Sequence, residues 1–218
     1  MKRFLFITLT LMVTVACSND TYETGDGEYS YMRADFCEMH TTSAKTFSWA
    51  VSDDLDTLHF VKNVSAEWAL KADSAYRALL YYNISGDKVT PVSISRVLVP
   101  RIVDIKDTAK YKTDPLTFES SWLSRGGHYL NLGLYIKIGK TDTSTQLQKI
   151  GVRRFATQKV NGKYSAMSLL LTHDQNDVPE YYSQRCYVSI PLDSLSSDAV
   201  IDITINTYDG AKTVYLKN

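Results

Sequence analysis

Between Tyr129 and Ile138 every second residue is a large aliphatic: Leu130, Leu132, Leu134, Ile136 and Ile138 alternate without a break. A β-strand sends successive side chains to opposite faces, so such a run is one buried strand face. The same period returns at Ile150 and Val152, at Met167, Leu169 and Leu171, at Val188 and Ile190, and at Ile201, Ile203 and Ile205. Leu116 to Trp122 adds an opening strand, and Val214 with Leu216 a closing one. Turn formers separate these runs, among them Asn161-Gly162 and Asp209-Gly210. Seven short strands in about 100 residues predict an antiparallel β-sandwich over residues 116–218.

The first half alternates less regularly but is also all strand. Met32, Ala34 and Phe36 share one face of a first strand, and Thr46 to Val51 supplies a second. The cluster Asp53-Asp54-Leu55-Asp56 reads as a solvated turn before a third strand, Leu58 to Val61. Arg77 to Ile84 is the fourth, closed by Ser85-Gly86-Asp87. Val92 to Ile105 is a long fifth strand whose alternation slips near Arg96; Pro100 lacks a ladder donor and predicts a bulge or an edge there. Five strands over residues 30–106 suit a small Greek-key barrel of the OB type. Ser65 to Ala75 is the one segment with room for a helical turn. Residues 107–115 are polar, end in Asp-Pro and read as the linker to the sandwich. The fold class is therefore all-β, an OB-like barrel followed by a sandwich.

The N-terminus is an address. Lys2 and Arg3 precede thirteen uncharged, mostly apolar residues, Phe4 to Ala16, and then Cys17. That run is too short for the ~20 residues of a spanning helix and fits a secretory signal. Thr14-Val15-Ala16-Cys17 reads as a lipoprotein box, with Thr14 where Leu is usual. Residues 1–16 are then a cleaved signal peptide, Cys17 the lipidation site, and 17–29 a polar, flexible tether. The full chain has 24 basic and 24 acidic residues. Cleavage removes two basic ones and leaves a mildly acidic protein, which argues against a nucleic-acid partner.

The search for chemistry finds little. Cys-x-x-Cys, His-Glu-x-x-His and Gly-x-Ser-x-Gly are all missing, and His40, His59, His128 and His173 have no ligand spacing. Gly133 to Thr141 is one residue too long for a phosphate loop and alternates like a strand. One of Arg153 and Arg154 must face outward on any strand, so the pair is no anion grip by itself. Asp174, Asn176 and Asp177 form a candidate Ca²⁺ site, although Asx residues are ordinary turn formers. No catalytic, cofactor-binding or metal-ligating residue is otherwise assigned, and no cofactor is expected. Cys37 and Cys186 read as two buried thiols in separate units rather than a disulfide. Trp49, Trp68 and Trp122 suit cores, while Tyr81, Tyr82, Trp122, Tyr181 and Tyr182 are the candidates for an exposed aromatic binding surface.

Leu116 to Ile138 (LTFESSWLSRGGHYLNLGLYIKI) resembles the signature of NigD-like lipoproteins, in which a Trp and a Gly-rich turn lead into a YLN strand. Leu170 to Leu192 and Arg77 to Val99 agree with it. The resemblance implies an N-terminal OB-like domain, a C-terminal β-sandwich and a lipid anchor in a Gram-negative envelope, with the outer membrane as the expected site. A two-domain β chain of this type with no catalytic constellation is expected to be a non-enzymatic binding or accessory module, its partner an envelope protein or a glycan. A bacteriocin-linked immunity role is the alternative, and an enzyme acting on glycan or peptide the least favoured reading. Asp56-Thr57-Leu58, Asp73-Ser74-Ala75, Asp107-Thr108-Ala109 and Asp193-Ser194-Leu195 look like the O-glycosylation acceptors of bacteria carrying this family.

Overall fold

A computed structural model describes residues 31–105, 111–140 and 146–218. The signal peptide, Cys17, the tether and the acceptor at 107–109 lie outside the described residues, as does the first part of the expected linker. The described residues are strand and turn throughout, with no helix.

Five strands close a barrel: β1 (Arg33–Ser43), β2 (Thr46–Ser52), β3 (Thr57–Ser65), β4 (Ala75–Ser85) and β5 (Lys88–Arg96). Their order around it is β1-β2-β3-β5-β4, with β4 returning to β1. All contacts are antiparallel except β3 with β5. This is the small Greek-key barrel that the strand count suggested. Its interior holds Cys37, Met39, Phe47, Ala50, Ala78 and Leu80, each with no exposed surface. The face carrying Met32, Ala34 and Phe36 is the outer one. Ser65 to Ala75 forms no helical turn: β3 runs to Ser65, and the loop beyond it folds inward, burying Ala69 and packing Trp68 on Phe47 and Tyr76. Burial of those two side chains outweighs the modest helix propensity of the segment.

The long strand expected over Val92 to Ile105 is broken in two. β5 ends at Arg96, and β6 (Ile102–Asp104) pairs in parallel with a strand of the second body. Between them Leu98 bridges to Val188, and the Ser189 amide donates to the Leu98 carbonyl at 2.9 Å. Pro100, buried and without an N–H, stands where the chain changes sheets. Residues 97–104 are therefore a strap that leaves the barrel, runs along one sheet of the sandwich and joins the other.

The sandwich adds β7 (Thr117–Leu123), β8 (Tyr129–Ile138), β9 (Lys149–Val160), β10 (Lys163–Asp174), β11 (Tyr182–Pro191), β12 (Leu195–Thr207) and β13 (Gly210–Lys217). One sheet is β13-β12-β10-β9-β6, the other β11-β8-β7. The first is mixed, because β10–β12 and β6–β9 are parallel. Most of the alternating runs lie inside: Leu130, Leu132, Leu134, Leu169, Ile190, Ile201, Ile203 and Ile205 are fully buried, Ile136 and Ile150 pack half-buried against them, and Ile138 at the end of its run is half-buried. Asn161 (φ 52°) and Gly162 (φ 79°) make the tight β9–β10 turn, which needs two positive φ values.

Candidate functional site

β4 decides where the two bodies meet. Its run Arg77, Ala78, Leu79, Leu80 is buried on both faces, unlike a barrel strand with one wet side. Ala78 and Leu80 fill the barrel, while Arg77 and Leu79 face the outer surface of the three-stranded sheet. That surface presents Asn131 from β8 and Ser189 from β11, both with no exposed area.

A buried guanidinium needs partners for its donors, and Arg77 has them from three places in the chain. Its Nη2 donates to Asp53 Oδ2 at 2.6 Å and to Asn131 Oδ1 at 3.2 Å, and its Nε donates to Ser189 Oγ at 3.1 Å. Asn131 Nδ2 donates to the same Asp53 oxygen at 2.8 Å, and Ser189 Oγ donates to Asn131 Oδ1 at 2.6 Å. The Tyr129 ring lies 4.1 Å from the guanidinium carbon, and its hydroxyl donates to Glu38 Oε1 at 2.6 Å. Burial, and then that bond to Glu38, raise the Tyr129 pKa. Phe36 finishes the joint edge-on against Trp122 and Tyr187, at 5.2 and 5.1 Å.

Asp53 thus corrects the sequence reading. It belongs to the acidic turn expected in water, yet its side chain is only 18% exposed and is committed to Arg77 and Asn131. Asp54 and Asp56 are exposed, as expected. Between them Leu55 takes φ +72° and stands 57% exposed, an unusual backbone for a bulky residue.

Beside this cluster lies a cavity of about 200 Å³, walled by Glu38, Asp53, Leu55, His128, Tyr129 and Asp193. A second, of about 250 Å³, shares Glu38, Arg77 and Tyr129 and extends to Arg96 and Leu98. A third, of about 330 Å³, shares Pro191 and Asp193 with the first and reaches Arg101, Arg154 and Tyr164. The first two depressions flank the barrel–sandwich joint on shared walls, and the third adjoins the first on the sandwich side. Asp193 and His128 are exposed there, whereas Glu38, Asp53 and Arg77 spend their charges on one another's surroundings.

The residues singled out in the sequence scatter. Trp122 is half-buried in the joint, and Tyr81 is half-buried on the outer face of β4. Tyr82 is 3% exposed, inside the barrel, with its hydroxyl donating to Asp35 at 2.6 Å; strand parity turns it inward, so it offers no binding surface. Burial and that bond push its pKa up. Tyr181 and Tyr182 stand 63% and 66% exposed, edge-to-face at 6.3 Å. Asp174 pairs with Lys112 at 2.9 Å, a bond that holds its pKa down, and it accepts the Asn176 amide. Asn176 and Asp177 are left-handed turn residues. Among the described residues no three His, Cys, Asp or Glu side chains are grouped to hold a metal.

Cys37 and Cys186 are free, one inside the barrel and one half-buried in the sandwich. His173 is buried, with its ring nitrogens 3.0 Å from the Asp114 carbonyl and 2.9 Å from Gln148 Oε1. His40 stacks on Trp49 at 3.7 Å. Arg154 pairs with Asp104, while Arg153 lies over the Tyr111 ring. Thr57 and Ser194 of the acceptor tripeptides are exposed, and Ser74 is half-buried. Sequence reasoning missed the Arg77 joint. Its one trace is an arginine opening an otherwise apolar strand.

A family model described as the NigD-like C-terminal beta sandwich domain matches residues 100–218. A search of curated proteins found no match. Among solved structures, a NigD-like immunity protein from Bacteroides caccae superposes with a TM-score of 0.63 at 21% identity, covering 84% of this chain and 91% of that one. A toxin-related protein from Parabacteroides distasonis gives 0.62 at 18% identity, with 86% and 93% covered. A protein of unknown function from Bacteroides vulgatus gives 0.62 at 17%, with 86% and 90% covered. These likenesses establish the fold.

Proposed function

The chain belongs to the NigD-like family, and from that premise we propose that it is a non-catalytic lipoprotein of the cell envelope. Cys17 anchors it, the outer membrane is its site, and the groove along the barrel–sandwich joint receives an envelope protein or a glycan. The commitment of Glu38, Asp53 and Arg77 to structural bonds carries this reading. A general acid, base or nucleophile must be free to exchange protons or attack; these three groups are held in the joint, which leaves His128 and Asp193 as the titratable side chains of the cavity open to solvent. What remains available in the groove is a binding wall: exposed Leu55, His128 and Asp193.

The test is calorimetric titration of the protein with the products of neighbouring genes and with the envelope glycans of its host. Binding that is lost in Leu55→Asp and Asp193→Arg supports the groove. Flat titrations throughout, or turnover of a glycan or peptide, refute the reading.

The immunity reading draws its support from the relative named a NigD-like immunity protein and the one named toxin-related. Deleting the gene then sensitises the producer to a toxin encoded beside it. Unchanged survival removes that role.

A further inference from the structure

Glu38 and Arg77 sit opposite one another in the β1–β4 ladder. Arg77 nevertheless gives Nη2 to Asp53 and Asn131 and Nε to Ser189, with its side chain only 2% exposed. Glu38 is bonded instead by a neutral donor, the Tyr129 hydroxyl. Such a donor satisfies a lone pair and leaves the charge of the carboxylate uncancelled. Asp193 enters the same cavity from the sandwich side and is exposed.

The walls of the cavity therefore hold Glu38, Asp53 and Asp193 against Arg77, a cation already given to Asp53. The rim adds Asp54 and Asp56, exposed on either side of Leu55 in the β2–β3 turn. Arg125, whose amide donates to the Asp53 carbonyl at 3.1 Å, is exposed on the β7–β8 turn and offsets one of them. Arg96 opens onto the second depression and Arg101 onto the third. In a chain with 24 basic and 24 acidic residues, this hollow of about 200 Å³ is locally negative, and a cleft concentrates such a field.

The rest of the lining is apolar: Leu55, Pro191, Val51 and the Tyr129 ring. Lysine and arginine carry one charge at the end of an apolar stem, and the cavity divides the same way. We propose that it receives a lysine or arginine side chain of a partner protein, with the stem along Leu55 and Pro191 and the charged head at Glu38 and Asp193. A neutral sugar bonds these carboxylates without cancelling their charge, so charge complementarity selects the protein partner over the glycan. The proposal rests on the groove being the binding site.

The experiment follows amide resonances of the protein carrying Cys17→Ser. The probes are Nα-acetylarginine amide and its neutral isostere, Nα-acetylcitrulline amide. The arginine probe moves the amides of Gly126, His128 and Tyr129 saturably, less as salt is raised, and the citrulline probe leaves them in place. Glu38→Gln with Asp193→Asn weakens the arginine response about tenfold with the circular dichroism spectrum unchanged; glutamine still accepts the Tyr129 hydroxyl. Asp193→Asn alone, at an exposed position, weakens it in part, and Asp209→Asn in the distant β12–β13 turn leaves it as it was. Equal shifts with citrulline, or shifts that survive the double substitution, overturn the cation pocket. So does silence with arginine while an envelope glycan or the product of a neighbouring gene moves the same amides, an outcome that leaves the groove reading standing. Amides that none of these moves overturn both.

Discussion

Arg77 and Asp53 show how much one side chain can decide. Removing a partner from a buried pair strands the other charge, at a cost of about 3–5 kcal/mol, less where water reaches it. Asp53→Ala is accordingly expected to destabilise by about 2–3 kcal/mol in urea unfolding, whereas Asp54→Ala, one residue away and exposed, stays within about 0.5 kcal/mol. Equal effects would mean that the joint is not formed as described. His40 sets a pH dependence. Partial burial against Trp49 lowers its pKa below 6.5, with Glu38 opposing. The unfolded chain then binds protons more readily, so the stability His40 contributes is complete above about pH 6.5 and is lost as pH falls through the folded value. Urea midpoints measured between about pH 5 and 7 should fall with acid, and the slope should flatten in His40→Gln. The two thiols behave alike: burial raises Cys37 and pushes Cys186 up to about 11. In protein carrying Cys17→Ser, a thiol reagent at about pH 8 should label neither before denaturation and both after it. None of these pairings is written locally, because the partners of Arg77 lie 24, 54 and 112 positions away.

Strands were the most legible elements, because alternation is a local property that the pleat reads directly. β7 to β13 follow the sandwich runs, and the five barrel strands follow theirs. The failures came where a strand answers to two neighbours at once. Val92 to Ile105 keeps its apolar character through Pro100, yet its first part serves the barrel and its last the sandwich. Gly133 is another such point. The Arg185–Glu119 ion pair joins β11 to β7 across β8, and a Cβ at position 133 would lie 2.7 Å from Ser120 Oγ and 2.8 Å from Glu119 Oε2. Alanine normally improves a strand over glycine. Here Gly133→Ala should lower stability by about 1–3 kcal/mol, and a rise in the thermal midpoint would show that the bridge does not cross at that place. The alternation of β8 marked 133 as the outward face; nothing in the sequence marked what crosses over it.

Barrel and sandwich hold together through the strap, the Phe36–Trp122–Tyr187 cluster and the Arg77 network, so unfolding should be a single transition. Arg77→Met is expected to uncouple them: tryptophan fluorescence, from Trp49, Trp68 and the joint residue Trp122, should then separate from far-ultraviolet circular dichroism along the urea axis. Coincident curves in that variant would show that the apolar contacts suffice. Residue types and their spacing established an all-β chain, the location of both cores and an exported N-terminus as an expectation, because period, turn chemistry and a signal's charge pattern act over a few neighbours. The closure of β4 onto β1, the parallel pairings, the strap and the groove between the bodies needed the folded chain. They join segments far apart in sequence, and which distant faces meet is fixed by how all the strands pack together, something no local pattern encodes.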